Sequence, residues 1–177
     1  MNRLDFDLLD LTQESELSAF ECADADLNDF LLNEAKDYQS ELLAKTYLLR
    51  NPQNNEIVAY YSLLNDVARL DETEKSVRNR INRKIPFAKQ RTHYPAVKIG
   101  RLAVSKAYAG LGVGGMILRN LKFIFTHGNR TGCRFLTVDA YAAATGFYER
   151  NGFRFFTDAD KDDDTRLMYF DLKDFGS

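Results

Sequence analysis

The stretch that decides the fold reads VKIGRLAV (residues 97–104), AGLGVGG (residues 109–115) and MILRNLKFIF (residues 116–125). Its first part is apolar with β-branched residues at both ends, which predicts a buried strand. Its last part is an apolar run that predicts an amphipathic helix. Four glycines within residues 110–115 disfavour helix by roughly 1 kcal/mol each. The stretch therefore predicts a strand, a glycine-rich turn and a helix.

A glycine-rich turn at the start of a helix is suited to binding an anion. The first N–H groups of a helix have no intrahelical partner, and the helix dipole favours negative charge there. No Gly-Lys-Ser/Thr follows this turn, and the glycine spacing misses the dinucleotide-binding fingerprint. The pattern leaves two interpretations open, a cradle for a phosphate or diphosphate and a tight turn without a ligand.

The strand and turn resemble the acetyl-CoA loop of the GNAT superfamily of N-acetyltransferases. That loop has the pattern Arg/Gln-x-x-Gly-x-Gly/Ala and follows a strand ending Leu-Ala-Val. Here Leu102–Val104 match the strand end, and Gly112 and Gly114 match the two small positions. Ala109 replaces the Arg/Gln, whose side chain helps to hold the diphosphate in the family.

A second GNAT-like motif, Ala-x-x-Phe-Tyr-x-x-x-Gly-Phe, follows about thirty residues later. Its members in this chain are Ala144, Phe147, Tyr148, Gly152 and Phe153. Two motifs in the family's order make the joint signal specific. The resemblance covers roughly residues 95–156 well and the rest of the chain loosely.

The resemblance implies an α/β (α+β) GNAT fold, with a mixed, mostly antiparallel central sheet, helices on both faces and a splayed parallel strand pair. It also implies acetyl-CoA as cosubstrate, without a metal. The expected acetyl-CoA-binding residues are Leu102, Ala103, Val104, Ala109, Gly110, Leu111, Gly112, Val113, Gly114 and Gly115. The main-chain groups of Leu102–Val104 would contact the cosubstrate, and one N–H would polarise the thioester carbonyl.

Tyr148 occupies the position at which the family places its general acid. A phenol with a pKa near 10 stays protonated at neutral pH and can protonate a departing thiolate. The alternative is that Tyr148 only packs beside Phe147. The sequence shows no clear base: Asp139 is one candidate, although it fits a strand-end cap equally well. An α-amine of an aminoacyl ester needs little help, because it is less basic than a lysine.

Composition limits the class of protein. At 177 residues with 45% hydrophobic residues, the chain can bury the core of one domain, which we expect to span residues 1–177. Cys22 and Cys133 lie far apart, without metal-ligand spacing, and are expected to be reduced thiols in the core. The two histidines make a metal site improbable. The sequence has no apolar signal segment or membrane-spanning run, so a cytoplasmic location is expected.

The first half of the chain predicts an edge strand at residues 4–9 and two helices. Thr12 approximates a capping box, with Leu17 and Phe20 facing inward. Asp24 or Asp26 is expected to cap the second helix, which has an apolar stripe at helical spacing. The stripe consists of Leu27, Phe30, Leu31, Ala35 and Tyr38.

The N-terminal pattern Phe20-x-Cys22, Leu27-Asn28-x-Phe30-Leu31 and Ala35 resembles the opening of one GNAT subgroup. That subgroup includes bacterial toxins that acetylate the amino acid on charged tRNA. Membership would imply charged tRNA as a substrate and an antitoxin as a partner. The family also suggests a homodimer, by analogy alone.

The middle of the chain predicts a hairpin of strands 45–50 and 56–64, followed by an insertion at residues 65–94. From residue 75 to residue 91 the insertion has seven basic residues and no acidic ones. These are Lys75, Arg78, Arg80, Arg83, Lys84, Lys89 and Arg91. The run indicates either a solvated helix face or a positive patch for RNA or CoA phosphates.

The C-terminal part predicts a strand at residues 133–139, parallel to strand 97–104 because a helix connects them. His127 is expected at the end of that helix. A short helix at residues 141–150 and a hairpin of strands 153–156 and 167–172 should follow. The acidic residues 158–164 lack calcium-loop spacing and are interpreted as a solvated loop.

The sequence thus predicts an acetyl-CoA-dependent N-acetyltransferase in which a primary amine attacks the thioester directly. Two alternatives stay open. One is a toxin-type enzyme that modifies the α-amine of aminoacyl-tRNA through its basic residues 75–91. The other is a GNAT-like domain that binds CoA without turnover, for which Ala109 is the support.

Overall fold

Strands and helices alternate along most of the chain. The computed structural model describes residues 5–86 and 91–176. The strands are β1 (Asp7–Asp10), β2 (Lys45–Arg50), β3 (Ile57–Arg69), β4 (His93–Val104), β5 (Phe135–Tyr141), β6 (Arg154–Phe155) and β7 (Thr165–Asp171). The helices are α1 (Ala25–Asp29), α2 (Ala35–Ser40), α3 (Lys75–Asn82), α4 (Val113–His127) and α5 (Thr145–Arg150). A π-helical turn, Phe30–Glu34, joins α1 to α2, and 3-10 turns occupy Leu70–Glu72, Lys106–Tyr108, Ala142–Ala144 and Leu172–Asp174.

The strands form a seven-stranded sheet in the order β1-β2-β3-β4-β5-β7-β6. The pairs β1–β2, β2–β3, β5–β7 and β6–β7 are antiparallel, whereas β4 and β5 are parallel. The parallel register joins Ala96–Lys98 to Phe135–Thr137, and β4 continues from there to Val104. The predicted mixed sheet with one parallel pair is confirmed.

The described residues divide into two compact units. The first contains the chain through Leu64 together with Ile99–Ile117, and the second contains Asn65–Lys98 together with the chain from Leu118 onward. A core in the first unit is formed by Leu11, Leu17, Phe20, Cys22, Phe30, Leu31, Ala35, Leu48, Tyr60 and Ala103. A core in the second unit is formed by Ala68, Leu70, Ile81, Tyr94, Ala96, Phe135, Phe156 and Tyr169. Both cores join aromatic rings to aliphatic side chains.

The prediction of a helix starting at Thr12 is wrong, because no helix lies in the described residues between β1 and α1. The Thr12 N–H donates to Ser15 Oγ at 3.0 Å, and the Ser15 N–H donates to the Thr12 carbonyl at 3.1 Å, which closes a turn. Lys36 Nζ donates hydrogen bonds to the carbonyls of Gln13 and Ser15 at 2.8 and 3.0 Å. The two Lys36 bonds occupy the carbonyls of Gln13 and Ser15, which a helix through this segment would use as acceptors. The inward positions of Leu17 and Phe20 are confirmed, since both are buried.

The second predicted helix begins where its cap was expected. Asp24 Oδ1 accepts the N–H groups of Asp26 and Leu27 at 2.9 and 3.0 Å, so Asp24 is the N-cap of α1. Phe30, Leu31 and Ala35 of the apolar stripe are buried, while Tyr38 is 40% exposed. The π-helical turn interrupts the regular helix that the spacing predicted.

Several element bounds differ from the prediction. β1 starts at Asp7, and Leu4 lies outside the described residues. β3 runs on to Arg69 and β4 starts at His93, so the segment between them is shorter than the predicted 65–94. β5 starts at Phe135 rather than Cys133. α5 starts at Thr145 rather than Tyr141, because β5 runs to Tyr141 and a 3-10 turn occupies Ala142–Ala144. β3 and β4 extend beyond their predicted ends because buried residues continue there: Ala68 in β3, and Tyr94 and Ala96 in β4, are buried.

Replacing the cap residue should weaken the start of α1. Asp24→Ala removes the acceptor for two N–H groups and is expected to lower the free energy of unfolding by about 1 kcal/mol. Urea unfolding measures the change. Asp26→Ala is the matched control, because it removes a carboxylate in the first turn but no cap bond. Equal losses in the two variants would contradict the cap assignment.

Candidate acetyl-transfer site

The turn between β4 and α4 has the backbone shape that only glycine adopts readily. Gly110 and Gly112 have φ angles of 77° and 80°, in the left-handed region. A Cβ at either position would meet no atom within 4 Å, so conformation rather than crowding requires glycine there. α4 begins at Val113, directly after this turn, and its first N–H groups lack intrahelical acceptors. The turn therefore suits the predicted diphosphate cradle.

The residues before the turn are fastened to the first unit. The Ser105 N–H donates to the Val58 carbonyl at 2.8 Å, which ties the end of β4 to the start of β3. The Lys106 N–H donates to the Glu21 carbonyl at 2.9 Å, and the Lys106 ammonium also pairs with the Glu21 carboxylate. These bonds fix the point from which the glycine turn departs.

Tyr108 adds a third attachment within the same unit. Its hydroxyl accepts a hydrogen bond from Asn51 Nδ2 at 2.9 Å and donates to Glu56 Oε2 at 3.1 Å. Both partners flank the β2–β3 hairpin turn. The ring of Phe6 meets the Tyr108 ring edge to face, with centroids 6.0 Å apart. One side chain thus connects the start of the glycine turn to the hairpin turn.

The predicted cosubstrate-binding residues follow one another along this part of the first unit. Ala103 is buried, and Leu102 and Val104 are partly buried at the end of β4. Ala109–Gly112 are exposed. Val113 and Gly114 are buried in the first turn of α4, and Gly115 is partly buried. The main chain rather than side chains is therefore what the turn offers to an anion.

Tyr148 lies in the second unit, on α5. Its side chain is 6% exposed, and its ring packs edge to face against Phe147 and Phe153, with centroids 5.0 and 5.4 Å apart. Burial raises the pKa of the Tyr148 phenol above its usual value, because the phenolate would lose its hydration. The phenol therefore stays protonated at neutral pH, as a general acid must.

A group of interacting polar side chains, which the sequence did not reveal, lies in the second unit. It includes Lys98 and Thr137, the last paired residues of β4 and β5. Lys98 Nζ lies 2.9 Å from Asp139 Oδ2 and 4.0 Å from Asp66 Oδ2. The Thr137 hydroxyl donates to Asp66. Asp139, the predicted base candidate, is therefore engaged by a lysine. Asp66 escaped notice because strand β3 was expected to end at residue 64, two residues before it.

Some basic residues of the run at residues 75–91 are engaged within the protein and are not free to contact an anion. Arg78 donates to the carbonyls of Leu70 and Thr73 at 3.0 and 3.3 Å, which makes it part of the turn before α3. Lys84 pairs with the Asp174 carboxylate at 2.6 Å. Lys75, Arg83 and Arg91 are exposed, and Lys89 lies outside the described residues. Phe87, the aromatic residue within the run, also lies outside them.

A surface pocket of the second unit lies beside α3. Its polar lining consists of Arg80, Lys84, Arg154, Tyr169, Asp171 and Asp174. The Asp171 carboxylate already binds Arg134 through two bonds of 2.7 and 2.9 Å, and Asp174 pairs with Lys84. Arg80 donates to the Tyr169 hydroxyl at 2.8 Å. In residues 5–86 and 91–176 no carboxylate pairs with Arg80 or Arg154, so the pocket keeps two positive charges.

The described part of the chain, residues 5–86 and 91–176, lacks two kinds of feature. Within it, no group of three His, Cys, Asp or Glu side chains is placed to hold a metal ion. No described helix combines the length and apolarity needed to cross a membrane. His127 is the last residue of α4, as predicted. His93 is the first residue of β4.

A family model described as an acetyltransferase (GNAT) domain matches residues 67–155. Solved structures with the same fold include a tyrosine-to-phenylalanine mutant of KacT, at 22% identity, with 96% of each chain covered and a TM-score of 0.75. AtaT complexed with acetyl-methionyl-tRNAfMet is 22% identical, with 96% of each chain covered and a TM-score of 0.76. AtaTR bound with AcCoA is 20% identical, with 97% of this chain covered and a TM-score of 0.71.

This chain belongs to the GNAT family of acetyltransferases. The predicted GNAT fold is confirmed by the solved structures, which match nearly the whole chain. The family also confirms the prediction of an acyltransferase that uses acetyl-CoA and transfers its acetyl group to an amine.

The left-handed conformation of the turn predicts a stability change. Gly112→Ala places a Cβ on a backbone with φ of 80° and is expected to lower the free energy of unfolding by about 1 kcal/mol. Urea unfolding measures it. Gly128→Ala is the control, because its Cβ also enters open space and its φ lies outside the left-handed region. If Gly112→Ala were as mild as Gly128→Ala, the turn would adopt another conformation in solution.

Proposed function

We propose that this enzyme transfers the acetyl group of acetyl-CoA to the α-amine of an aminoacyl-tRNA. The observation that carries the proposal is the similarity to AtaT complexed with acetyl-methionyl-tRNAfMet, over 96% of both chains. Structures of the same fold with AcCoA support the donor. The N-terminal residues that resemble the toxin subgroup also support the acceptor.

The proposed donor site is the end of β4 and the glycine turn. N–H groups of Gly110–Gly115 bind the diphosphate of acetyl-CoA, and the helix dipole of α4 adds favourable potential. Main-chain groups of Leu102–Val104 hold the pantetheine part, and one N–H stabilises the oxyanion. Ala109 has no polar side chain, so affinity depends on the backbone more than in family members with Arg or Gln at this position.

Tyr148 is the proposed general acid. The attacking amine forms a bond to the acetyl carbon as the C–S bond to CoA breaks, and the phenol donates its proton to the leaving sulfur. The new amide nitrogen loses one proton to solvent, and solvent returns a proton to the Tyr148 phenolate. The raised pKa of Tyr148 supports this role, since the acid form persists at neutral and mildly alkaline pH. The acceptor must arrive as a free amine, which suits an α-amine with a pKa far below that of lysine.

The proposed tRNA surface is the exposed face of α3 with the adjoining pocket. Lys75 and Arg83 are exposed, and Arg80 and Arg154 keep their charge within the pocket. Phosphate contacts of this kind supply affinity that does not depend on base sequence. The molecule can therefore bind RNA although its net charge is −2.

A protein antitoxin is the proposed partner. An AtaT mutant toxin was solved bound to the C-terminus of the antitoxin AtaR, at 20% identity to this chain. A KacTA–DNA complex has the same fold. Growth arrest on expression of the chain alone, relieved by a co-expressed neighbouring gene, would support this partner.

Removing the Tyr148 hydroxyl should slow turnover and spare binding. Tyr148→Phe is expected to reduce kcat by roughly 10²-fold or more, because the thiolate loses its proton donor, while the Kd for acetyl-CoA stays the same. Release of free CoA with charged tRNA as acceptor measures turnover, and calorimetry measures binding.

Tyr141→Phe is the matched control, since Tyr141 is an exposed tyrosine at the end of β5. In the wild type, kcat should not decline between pH 7 and about 9.5, because the pKa of Tyr148 is raised. An unchanged rate in Tyr148→Phe would reject the acid. Tight acetyl-CoA binding without any CoA release by the wild type would favour a sensor.

The exposed cations of α3 should set the salt dependence of tRNA binding. The double variant Lys75→Ala/Arg83→Ala is expected to weaken binding and to reduce the slope of log affinity against log salt by about two. Filter binding across a salt series measures both quantities.

Lys161→Ala is the control, because it removes one exposed cation from the acidic loop. It should leave the slope nearly unchanged. A loss in the control as large as half of that in the double variant would mean that overall charge, not this face, governs RNA binding.

A further inference from the structure

Lys122, on α4, is a buried lysine that the proposed chemistry does not use. Its side chain is 7% exposed. Within residues 5–86 and 91–176 no carboxylate lies within ion-pair distance of it. Its ammonium lies 3.8 Å from the ring centroid of Phe170 and 5.4 Å from that of Phe153. Burying a charged group without a counter-ion is costly, so a compensating interaction is needed.

The compensating interaction is a hydrogen bond to the segment that ends α5. Lys122 Nζ donates to the carbonyl of Asn151, the residue that closes this helix. The carbonyls at the end of a helix lack intrahelical donors and carry negative partial charge. An ammonium donor there satisfies one carbonyl and complements the helix dipole. Lys122 therefore stabilises the end of α5 through a hydrogen bond and through a favourable interaction of its charge with the helix dipole.

The segment Asn151–Phe153, which Lys122 contacts, is also hydrogen-bonded to Tyr148. The N–H groups of Asn151 and Phe153 both donate to the Tyr148 carbonyl at 3.0 Å. Asn151 Nδ2 donates to the Phe147 carbonyl at 2.9 Å. The Phe153 ring, which lies beside the Lys122 ammonium, packs against the Tyr148 ring. Main chain and side chain of Tyr148 therefore both depend on residues that Lys122 contacts.

The surroundings of Lys122 lower the pKa of its ammonium group. Burial, together with the smaller effect of the neighbouring positive charge of Arg119, lowers the pKa of Lys122 to about 8. Most molecules still carry the ammonium at neutral pH. The chain thus retains a charge that its surroundings oppose, and a methionine of similar length would avoid this cost.

We infer that Lys122 is a positioning residue for Tyr148: it holds the end of α5 so that the phenol keeps its orientation. The inference rests on the proposed acid role of Tyr148. Lys122 takes no part in bond making. It fixes the Asn151–Phe153 segment against the Phe170 side of the sheet, and that segment fixes Tyr148.

The first test is amide hydrogen exchange in Lys122→Met, with Arg119→Met as control. The amides of Asn151 and Phe153 are expected to exchange about tenfold faster in Lys122→Met, while amides of β5 keep their protection. Arg119→Met removes an exposed cation one turn away on the same helix and should leave α5 unchanged. If Lys122→Met does not fold, Lys122→Gln replaces it. Unchanged protection at both amides would overturn the inference.

The second test is a double-mutant cycle with Tyr148→Phe, followed by release of free CoA with and without charged tRNA. Lys122→Met alone is expected to lower kcat about tenfold without changing the KM for acetyl-CoA. In the Tyr148→Phe background it should cause no further loss. A merely structural role would slow both backgrounds equally, and that result would overturn the inference.

The outcomes separate this inference from the proposed function. If charged tRNA does not stimulate CoA release, the proposed acceptor fails, and the cycle is completed on the hydrolysis measured without tRNA. If Tyr148→Phe retains the full rate, the acid role fails and the positioning role falls with it. If Tyr148→Phe is slow but Lys122→Met is as fast as Arg119→Met, only the positioning role is rejected.

Discussion

The parallel pairing of β4 with β5 is the constraint on which the rest of the structure depends. Two parallel strands cannot be joined by a hairpin, so the chain must leave β4, cross over and return. Here the crossover is the glycine turn followed by α4. The left-handed backbone of Gly110 and Gly112 allows the chain to reverse into the helix within a few residues. The turn that could hold a diphosphate is thus also the turn that the sheet topology requires.

Much of this arrangement could be predicted from the sequence because its signals are local. Glycine spacing, the β-branched strand and the Phe147–Tyr148 motif identify the elements and their order. The Asp24 cap was also readable, since its two acceptor bonds lie within three residues. The helix expected at Thr12 failed because its decisive bonds come from Lys36, more than twenty residues away. A local sequence pattern cannot show that Lys36 will bind the carbonyls of this segment.

The parts of the candidate site that the sequence did not reveal depend on contacts across strands and helices. Asp66 becomes notable only when β3 extends past residue 64 and places it near Lys98 and Thr137. The helical pattern of residues 116–125 does not by itself indicate that Lys122 is buried. Its burial against two phenylalanine rings is a property of the tertiary fold. The same holds for the basic run, where pairing with Asp174 and the turn carbonyls removes Lys84 and Arg78 from its free charges.

The Tyr108 hydroxyl has a consequence for how this chain tolerates change. Surface hairpin turns are usually permissive sites for insertions and tags. The turn between β2 and β3 is an exception, because Asn51 and Glu56 on either side of it bind Tyr108. A longer connection there would separate these two partners and release the base of the glycine turn. Insertions between Asn51 and Glu56 are therefore expected to disturb the glycine turn, although that turn lies more than fifty residues further along the chain.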